Sequence, residues 1–286
     1  MSPLGTLAAV AVYLVAAPIV GGLLAGLDRK VSARLQGRWG PPVVQPFYDV
    51  VKLWRKESIV VRRSQSFYVY FFFVFTVFTG GLFFAGGDLL LTIFALTLAG
   101  IFLVLGAYKA SSPYSFLGAE RELIQMMAYE PMVLLAAIGM YLVTGSFIVA
   151  DIAHYHGLLV LSTPGLFLGF VFILLFKMRK SPFDLAASHH AHQEIVRGVT
   201  TEFSGRTLAL VEIAHWYELV VALGVVALFF AAVPWAAAVA AAAAYLAVIL
   251  VDNVFARVKW QIALASAWIV AATLGVGNIL VVFFLR

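Results

Sequence analysis

Long apolar stretches alternate with polar gaps along this chain, and the gaps are of two kinds. Runs of about 18 or more apolar residues, enough to cross a bilayer as helices, fall at roughly 4–27, 67–86, 89–108, 123–144, 158–176, 207–232, 235–251 and 262–285. The gap after the first run holds Arg29, Lys30, Arg34, Arg38, Lys52, Arg55, Lys56, Arg62 and Arg63. Lys109 and Arg121 follow the third run, and Arg257 and Lys259 the seventh. Lys177, Arg179, Lys180, Arg197 and Arg206 follow the fifth. The even-numbered gaps hold no cation, and Arg286 is the last residue. Cationic loops stay on the cytoplasmic side of a membrane. The pattern predicts an all-α integral membrane protein, one polytopic domain over 1–286, with eight transmembrane helices and both termini outside.

Backbone groups in lipid must bond internally, and long runs without ten-residue alternation select helices over a barrel. The first run is too long for a cleaved signal peptide, and its positive cluster follows the run, so it reads as a permanent span. Hydrophobic residues make up 63% of the chain and charged residues 12%, so the +5 formal charge is a topological signal and nucleic-acid binding has no support. With no cysteine, the chain cannot ligate an iron–sulfur cluster through thiolates or form a disulfide. Any redox centre must then sit on a partner.

The outward loops are short, at Gly87–Asp88, Gly145–Gly157 and Val233–Pro234, whereas two cytoplasmic segments, 28–66 and 177–206, are long. In the first, Val43, Phe47, Val50, Val51 and Trp54 recur at helical spacing, with Asp49, Lys52, Arg55 and Lys56 on the remaining arc. An amphipathic helix of about four turns, introduced by Pro41–Pro42, fits this spacing. It either lies at the headgroup level or docks a soluble subunit. The Ala-rich run 235–251 suits close helix packing.

Ionisable residues inside a span are costly and are functional candidates by default. Glu130 lies in the fourth run just before Pro131, which loosens the local hydrogen-bond ladder. Glu212, His215 and Glu218 follow at three-residue steps in the sixth, and each step drifts only about 60°, so all three share one helix face. Such a row can hand protons along with intervening water, or pair with Lys and Arg to hold helices together. For Asp252, near Arg257 and Lys259, pairing is the expectation.

The 177–206 loop is the densest in polar chemistry. His189, His190, His192 and Glu194 lie within six residues, yet their spacing matches no standard closed metal site. Proton uptake at the cytoplasmic mouth, or hydrogen bonding to a partner, suits them better. The run into Glu194 contains no helix breaker, and Glu202-Phe203-Ser204-Gly205 reads as a turn before the sixth span. There is no GxGxxG, no P-loop, no nucleophile elbow and no inverted repeat of the secondary-transporter kind.

Several strings together resemble subunit 1 of respiratory complex I. Asp28-Arg29-Lys30, Gly37-Arg38-Trp39-Gly40-Pro41-Pro42, Gln45-Pro46 and Lys52-Leu53-Trp54-Arg55-Lys56-Glu57 are similar to its first cytoplasmic loop. Tyr114 to Ala119 and Gln125-Met126-Met127-Ala128-Tyr129-Glu130 resemble its third-to-fourth-span connection. Ser181-Pro182-Phe183-Asp184-Leu185 and Thr201-Glu202-Phe203-Ser204-Gly205 resemble its large fifth-to-sixth-span loop, so the matches run from about residue 28 to 218. The resemblance implies eight helices where a membrane arm meets a hydrophilic redox arm.

Two departures narrow it. The acidic Pro-Glu-Ala-Glu stretch that follows Pro-Phe-Asp-Leu in complex I is replaced by Ala186 to Glu194 with its histidines. The first loop has Pro42-Val43-Val44 where the quinone-reducing enzymes carry Asn-Arg-Val. Both look like the membrane subunit of the Ech-like energy-converting NiFe hydrogenases. That resemblance implies partners: hydrogenase large and small subunits carrying the NiFe centre and iron–sulfur clusters, a ferredoxin-like iron–sulfur subunit, an antiporter-like membrane subunit, and lipid of the cytoplasmic (inner) membrane. It implies no redox cofactor in this chain and export of H⁺ or Na⁺. Glu130, Glu194 and Glu202 match acids of the family's path, and Glu212, His215 and Glu218 lie in the matching sixth span. Arg38, Lys52, Asp184, His189, His190 and His192 are the expected docking or proton-uptake residues. A complex I or formate-hydrogenlyase subunit is the neighbouring expectation, and a stand-alone ion transporter or a purely structural anchor the ones outside the family.

Overall fold

Residues 3–58, 63–186 and 198–285 are described in the computed structural model of the chain. Among them every named element is helical. α1 (Pro3–Leu35) is followed by α2 (Gln45–Arg55), then by α3 (Arg63–Phe84), α4 (Leu89–Tyr108) and α5 (Pro113–Thr144). Two short helices, α6 (Val149–Ala153) and α7 (Leu159–Ser162), lead into α8 (Pro164–Lys177). A 3₁₀ turn, Gly198–Thr200, precedes α9 (Gly205–Leu228) and α10 (Pro234–Val254). A last rod comprises α11 (Trp260–Val270), a π-helical segment (Ala271–Val276) and α12 (Gly277–Leu285).

Among the described residues seven helices are long and apolar enough to cross a membrane, and every predicted run contains helix. The fifth run departs from expectation. It is interrupted at Thr163, where Pro164 opens α8, and α8 has only 14 residues. That is about 21 Å of helix against a hydrocarbon core of about 30 Å. Expectation of eight full-length spans therefore becomes seven long helices and one short one. α8 still runs through the fold: Val160 N–H donates to Phe229 O before its start, at 3.1 Å, and Lys177 at its far end reaches α9.

α9 is the most buried of the long helices and packs against α1, α2, α3, α8 and α10. Phe72, Met132, Met140, Ile173 and Phe229 lie in the fully enclosed core. Leu7, Val12 and Val15 of α1 and Phe283 and Phe284 of α12 point outward, as a lipid-facing surface requires. α2 has about three turns, one fewer than expected, and Pro46 rather than Pro41–Pro42 sits in its first turn. Its inner side rests Phe47 on Trp216, while Tyr48, Val51 and Trp54 are exposed. The loop before α2 approaches α1 at Gly26, where a Cβ would lie 1.7 Å from the Val43 carbonyl oxygen; only glycine fits there.

Prolines inside two spans each remove one helical donor, leaving the carbonyl four residues earlier without its bond. Lipid supplies no donor, so another helix must. Pro18 of α1 frees the Leu14 carbonyl, and the Tyr217 hydroxyl of α9 donates to it at 2.7 Å. Pro131 of α5 frees the Met127 carbonyl, and Trp268 Nε1 donates to it at 3.2 Å. At the predicted outer end, the turn after α3 and the loop after α5 are joined by backbone bonds: Leu89 N–H to Phe147 O and Val149 N–H to Gly87 O, both 2.8 Å.

Tyr217→Phe and Trp268→Phe should each destabilise the purified protein by about 1 kcal/mol, the worth of one interhelical hydrogen bond in a membrane bundle. Thermal unfolding in detergent measures this. A loss no greater than that of exposed Tyr70→Phe would show that the freed carbonyls do not need these donors.

Candidate functional site

α8 ends in Lys177, and Arg179 and Lys180 follow within three residues. The carbonyl end of a helix favours cations, and here all three turn into the bundle. Arg179 takes a left-handed backbone conformation, φ 51°, rare for a residue with a Cβ. Its guanidinium grips Glu122 of α5 with Nε at 3.1 Å and Nη2 at 2.6 Å, while Nη1 lies 2.7 Å from Nε2 of His215. A guanidinium only donates, so Nε2 accepts and the His215 proton belongs on Nδ1. Lys177 Nζ pairs with Glu218 Oε1 at 3.2 Å and stands 5.2 Å from the centre of the Tyr129 ring.

Lys180 Nζ lies 2.5 Å from Asp28 of α1 and 2.9 Å from Asp252 of α10. Burial penalises its ammonium, but the two carboxylates outweigh that and raise its pKa above 10.5. With both aspartates ionised, the lysine's contribution is fully present below pH 10.5 and is lost as pH climbs through the raised value. Asp184 is buried and takes both its bonds from Arg257, with Nε at 2.8 Å. These contacts fasten the start of the 177–206 segment to α1, α5, α9 and the α10–α11 connection. The 3₁₀ turn at its end lies against α5 at Gly118, where a Cβ would come within 2.3 Å of the Gly198–Val199 backbone.

Three cavities follow one another through these side chains. The first, about 320 Å³, lies between α1, α2 and α9 beside Arg29, Asp49, Lys52 and Glu212. The second, about 210 Å³, shares Arg29, Glu212 and Trp216 with the first and adds Asp28, His215, Glu218, Lys177, Arg179 and Lys180. The third, about 60 Å³, is largely apolar, contains Glu130, and shares Lys177 and Ala222 with the second. Four buried side-chain polar atoms lack a hydrogen-bond partner among the described residues: Tyr13 Oη, Gln65 Oε1, Glu130 Oε1 and Asn278 Oδ1. Glu130 is the one acid among them.

The structure thus brings Glu212, His215 and Glu218 to one cavity and Glu130 to the next. Glu202 lines none of the three, and its backbone carbonyl accepts from Gln65 Nε2 at 3.3 Å. Lys52 borders the outermost cavity, whereas Arg38 is exposed and donates to Gln36. Asp184, expected at a docking surface or proton-uptake mouth, is buried in an ion pair with Arg257. Asp252 is paired as expected, but with Lys180. His189, His190, His192 and Glu194 lie outside the described residues. Sequence reasoning left Glu122, Lys177, Arg179 and Lys180 out of the site, having taken the cations as orientation signals. Three cations within four residues at the end of an apolar run, opposite acids in two other runs, was the available signal.

Fold and site together define a multi-pass membrane protein with a row of ionisable side chains running into its interior. The family model described as NADH dehydrogenase matches residues 7–283, and the chain belongs to the NADH dehydrogenase subunit 1 family. It is 31% identical over 209 residues to hydrogenase-4 component C of Escherichia coli K12, covering 68% of this chain and 64% of that one. It is 30% identical to an NADH-quinone oxidoreductase subunit of Rubrobacter xylanophilus, covering 74% and 70% of the two chains. A chain of the membrane-bound sulfane sulfur reductase, an archaeal respiratory membrane complex, superposes with a TM-score of 0.83 at 25% identity, covering 96% of this chain and 99% of that one. The chain is a membrane subunit of this complex I-like class.

Removing Arg179 leaves Glu122 buried without its cation. Arg179→Ala should therefore cost about 3–5 kcal/mol, seen as reduced thermal stability in detergent. Arg179→Met with Glu122→Gln should recover most of the loss. Equal instability of the single and double variants would deny that the pair is what matters.

Proposed function

We propose that this chain is the membrane-anchor and ion-coupling subunit of an energy-converting NiFe hydrogenase of the Ech-like kind. In this reading, cytoplasmic partners pass electrons from reduced ferredoxin to protons, and the membrane part exports H⁺ or Na⁺. Those partners are hydrogenase large and small subunits with the NiFe centre and iron–sulfur clusters, a ferredoxin-like iron–sulfur subunit, and an antiporter-like membrane subunit. The chain itself holds no redox cofactor, lies in the cytoplasmic membrane with both termini outside, and lets its partners do the bond chemistry. The observation that carries this reading is the succession of cavities from α2 to Glu130, walled by Lys52, Glu212, His215, Glu218 and Lys177. Alternating acids and bases on such a path give charge changes at the docking side a route into the spans.

The similarity to hydrogenase-4 component C and the histidines at 189, 190 and 192 support the hydrogenase branch. The whole-chain likeness to the sulfane sulfur reductase chain supports a second reading, in which the partner arm reduces sulfane sulfur and the membrane part is unchanged. A complex I or formate-hydrogenlyase arm is the further alternative.

Purification in mild detergent, with partners identified by mass spectrometry and metals by elemental analysis, decides among these. Nickel with iron–sulfur subunits supports the hydrogenase, and co-purifying formate dehydrogenase assigns the formate branch. Iron–sulfur partners and sulfane-sulfur reduction without nickel assign the second reading. Flavin- and NADH-binding partners with rotenone-type inhibition assign complex I, and a chain that purifies alone and moves ions in liposomes is a transporter. Within the complex, Glu130→Gln should lower coupled ion transport while the hydrogenase reaction with an artificial donor survives. Equal loss of both with assembly intact would sink the pathway assignment.

A further inference from the structure

We infer that Lys177 is a movable counter-ion shared by two acids, Glu218 in the polar cavity and Glu130 in the apolar one. This rests on the ion-coupling role proposed above and adds to it the residue that joins its two halves. Lys177 and Ala222 are the residues that line both cavities, and of the two only the lysine carries charge. The neighbouring cations are committed elsewhere. Arg179 is held by two bonds to Glu122 and one contact with His215, and Lys180 by two carboxylates. Among the described residues Lys177 has a single hydrogen bond, at 3.2 Å, and it rests above the face of Tyr129, the residue next to Glu130. Glu130 Oε1 is buried with no partner among the described residues.

One ammonium cannot fully neutralise two carboxylates, and an unpaired buried carboxylate is costly. In the arrangement observed the ammonium serves Glu218; the proposed exchange starts from this state with the proton on Glu130. When a proton arrives at Glu218, the carboxylate loses its charge and its ion pair with Lys177 is broken. The freed ammonium turns on its flexible stem into the cavity and pairs with Glu130, whose proton leaves. One proton enters at Glu218 and one departs at Glu130, and the lysine keeps its own three throughout. The cavity of about 60 Å³ leaves room for this movement or for a few bridging waters.

The test uses the intact complex in proteoliposomes, reading ions moved per electron transferred, a ratio that mere loss of folded protein does not change. Lys177→Met should lower that ratio at least about tenfold, with Lys177→Arg, which keeps a mobile cation, restoring at least half of it. Adding Glu130→Gln to Lys177→Met should lower it no further, because both variants remove the same exchange. A ratio within twofold of the parent for Lys177→Met, or a multiplied loss in the double variant, overturns the shuttle. If Lys177→Met does not assemble, Glu218→Gln releases the lysine without removing it. It should give the same loss of coupling, and retained coupling overturns the proposal. Glu130→Gln alone separates the two levels. Its failure to affect transport removes the coupling role itself, whereas its effect without one from Lys177 removes only the shuttle.

Discussion

An ammonium or carboxylate inside a lipid-surrounded helix bundle is held only as well as its partner is placed. In this protein that constraint is met mostly at one spot, where the short helix α8 ends. Arg179 pairs with Glu122 on α5, Lys180 bridges Asp28 on α1 and Asp252 on α10, and Lys177 answers Glu218 on α9. Four helices are thus tied to one turn of chain. Glu130 stands outside the pairing, and its isolation in an apolar cavity sets it apart from every acid around it.

Much of the fold was legible because lipid simplifies the rules. Spans must be apolar and helical, and cations mark one side, so every predicted run contains helix. The break at Thr163-Pro164 was harder to see, since a proline at the edge of an apolar run starts a helix as readily as it ends one. The face of α9 carrying Glu212, His215 and Glu218 was readable from three-residue spacing alone. Their companions were not. Lys177, Arg179 and Lys180 look like interface markers in one dimension, and only the inward turn of the chain after α8 makes them interior groups. The motif around Asp184 was visible but its partner was not, because Arg257 lies 73 positions away.

The prolines teach a related lesson. Loosening was expected of the helix around Pro131, and both Pro131 and Pro18 do remove a backbone donor. What spacing could not reveal is that Trp268 and Tyr217 return one from neighbouring helices. The Trp268 bond braces α5 one turn before Glu130, so the weakened point of that helix is supported where the unpaired acid sits.

The two ends of the bundle are fastened by different kinds of bond. Around Gly87 and Phe147 the connections are main-chain hydrogen bonds between turns, indifferent to ionic strength and to protonation. At the opposite end they are ion pairs, which weaken when either member changes charge. The rim around Gly87 and Phe147 is therefore a seam that salt barely touches, whereas the rim at the end of α8 is one that a change of charge can loosen.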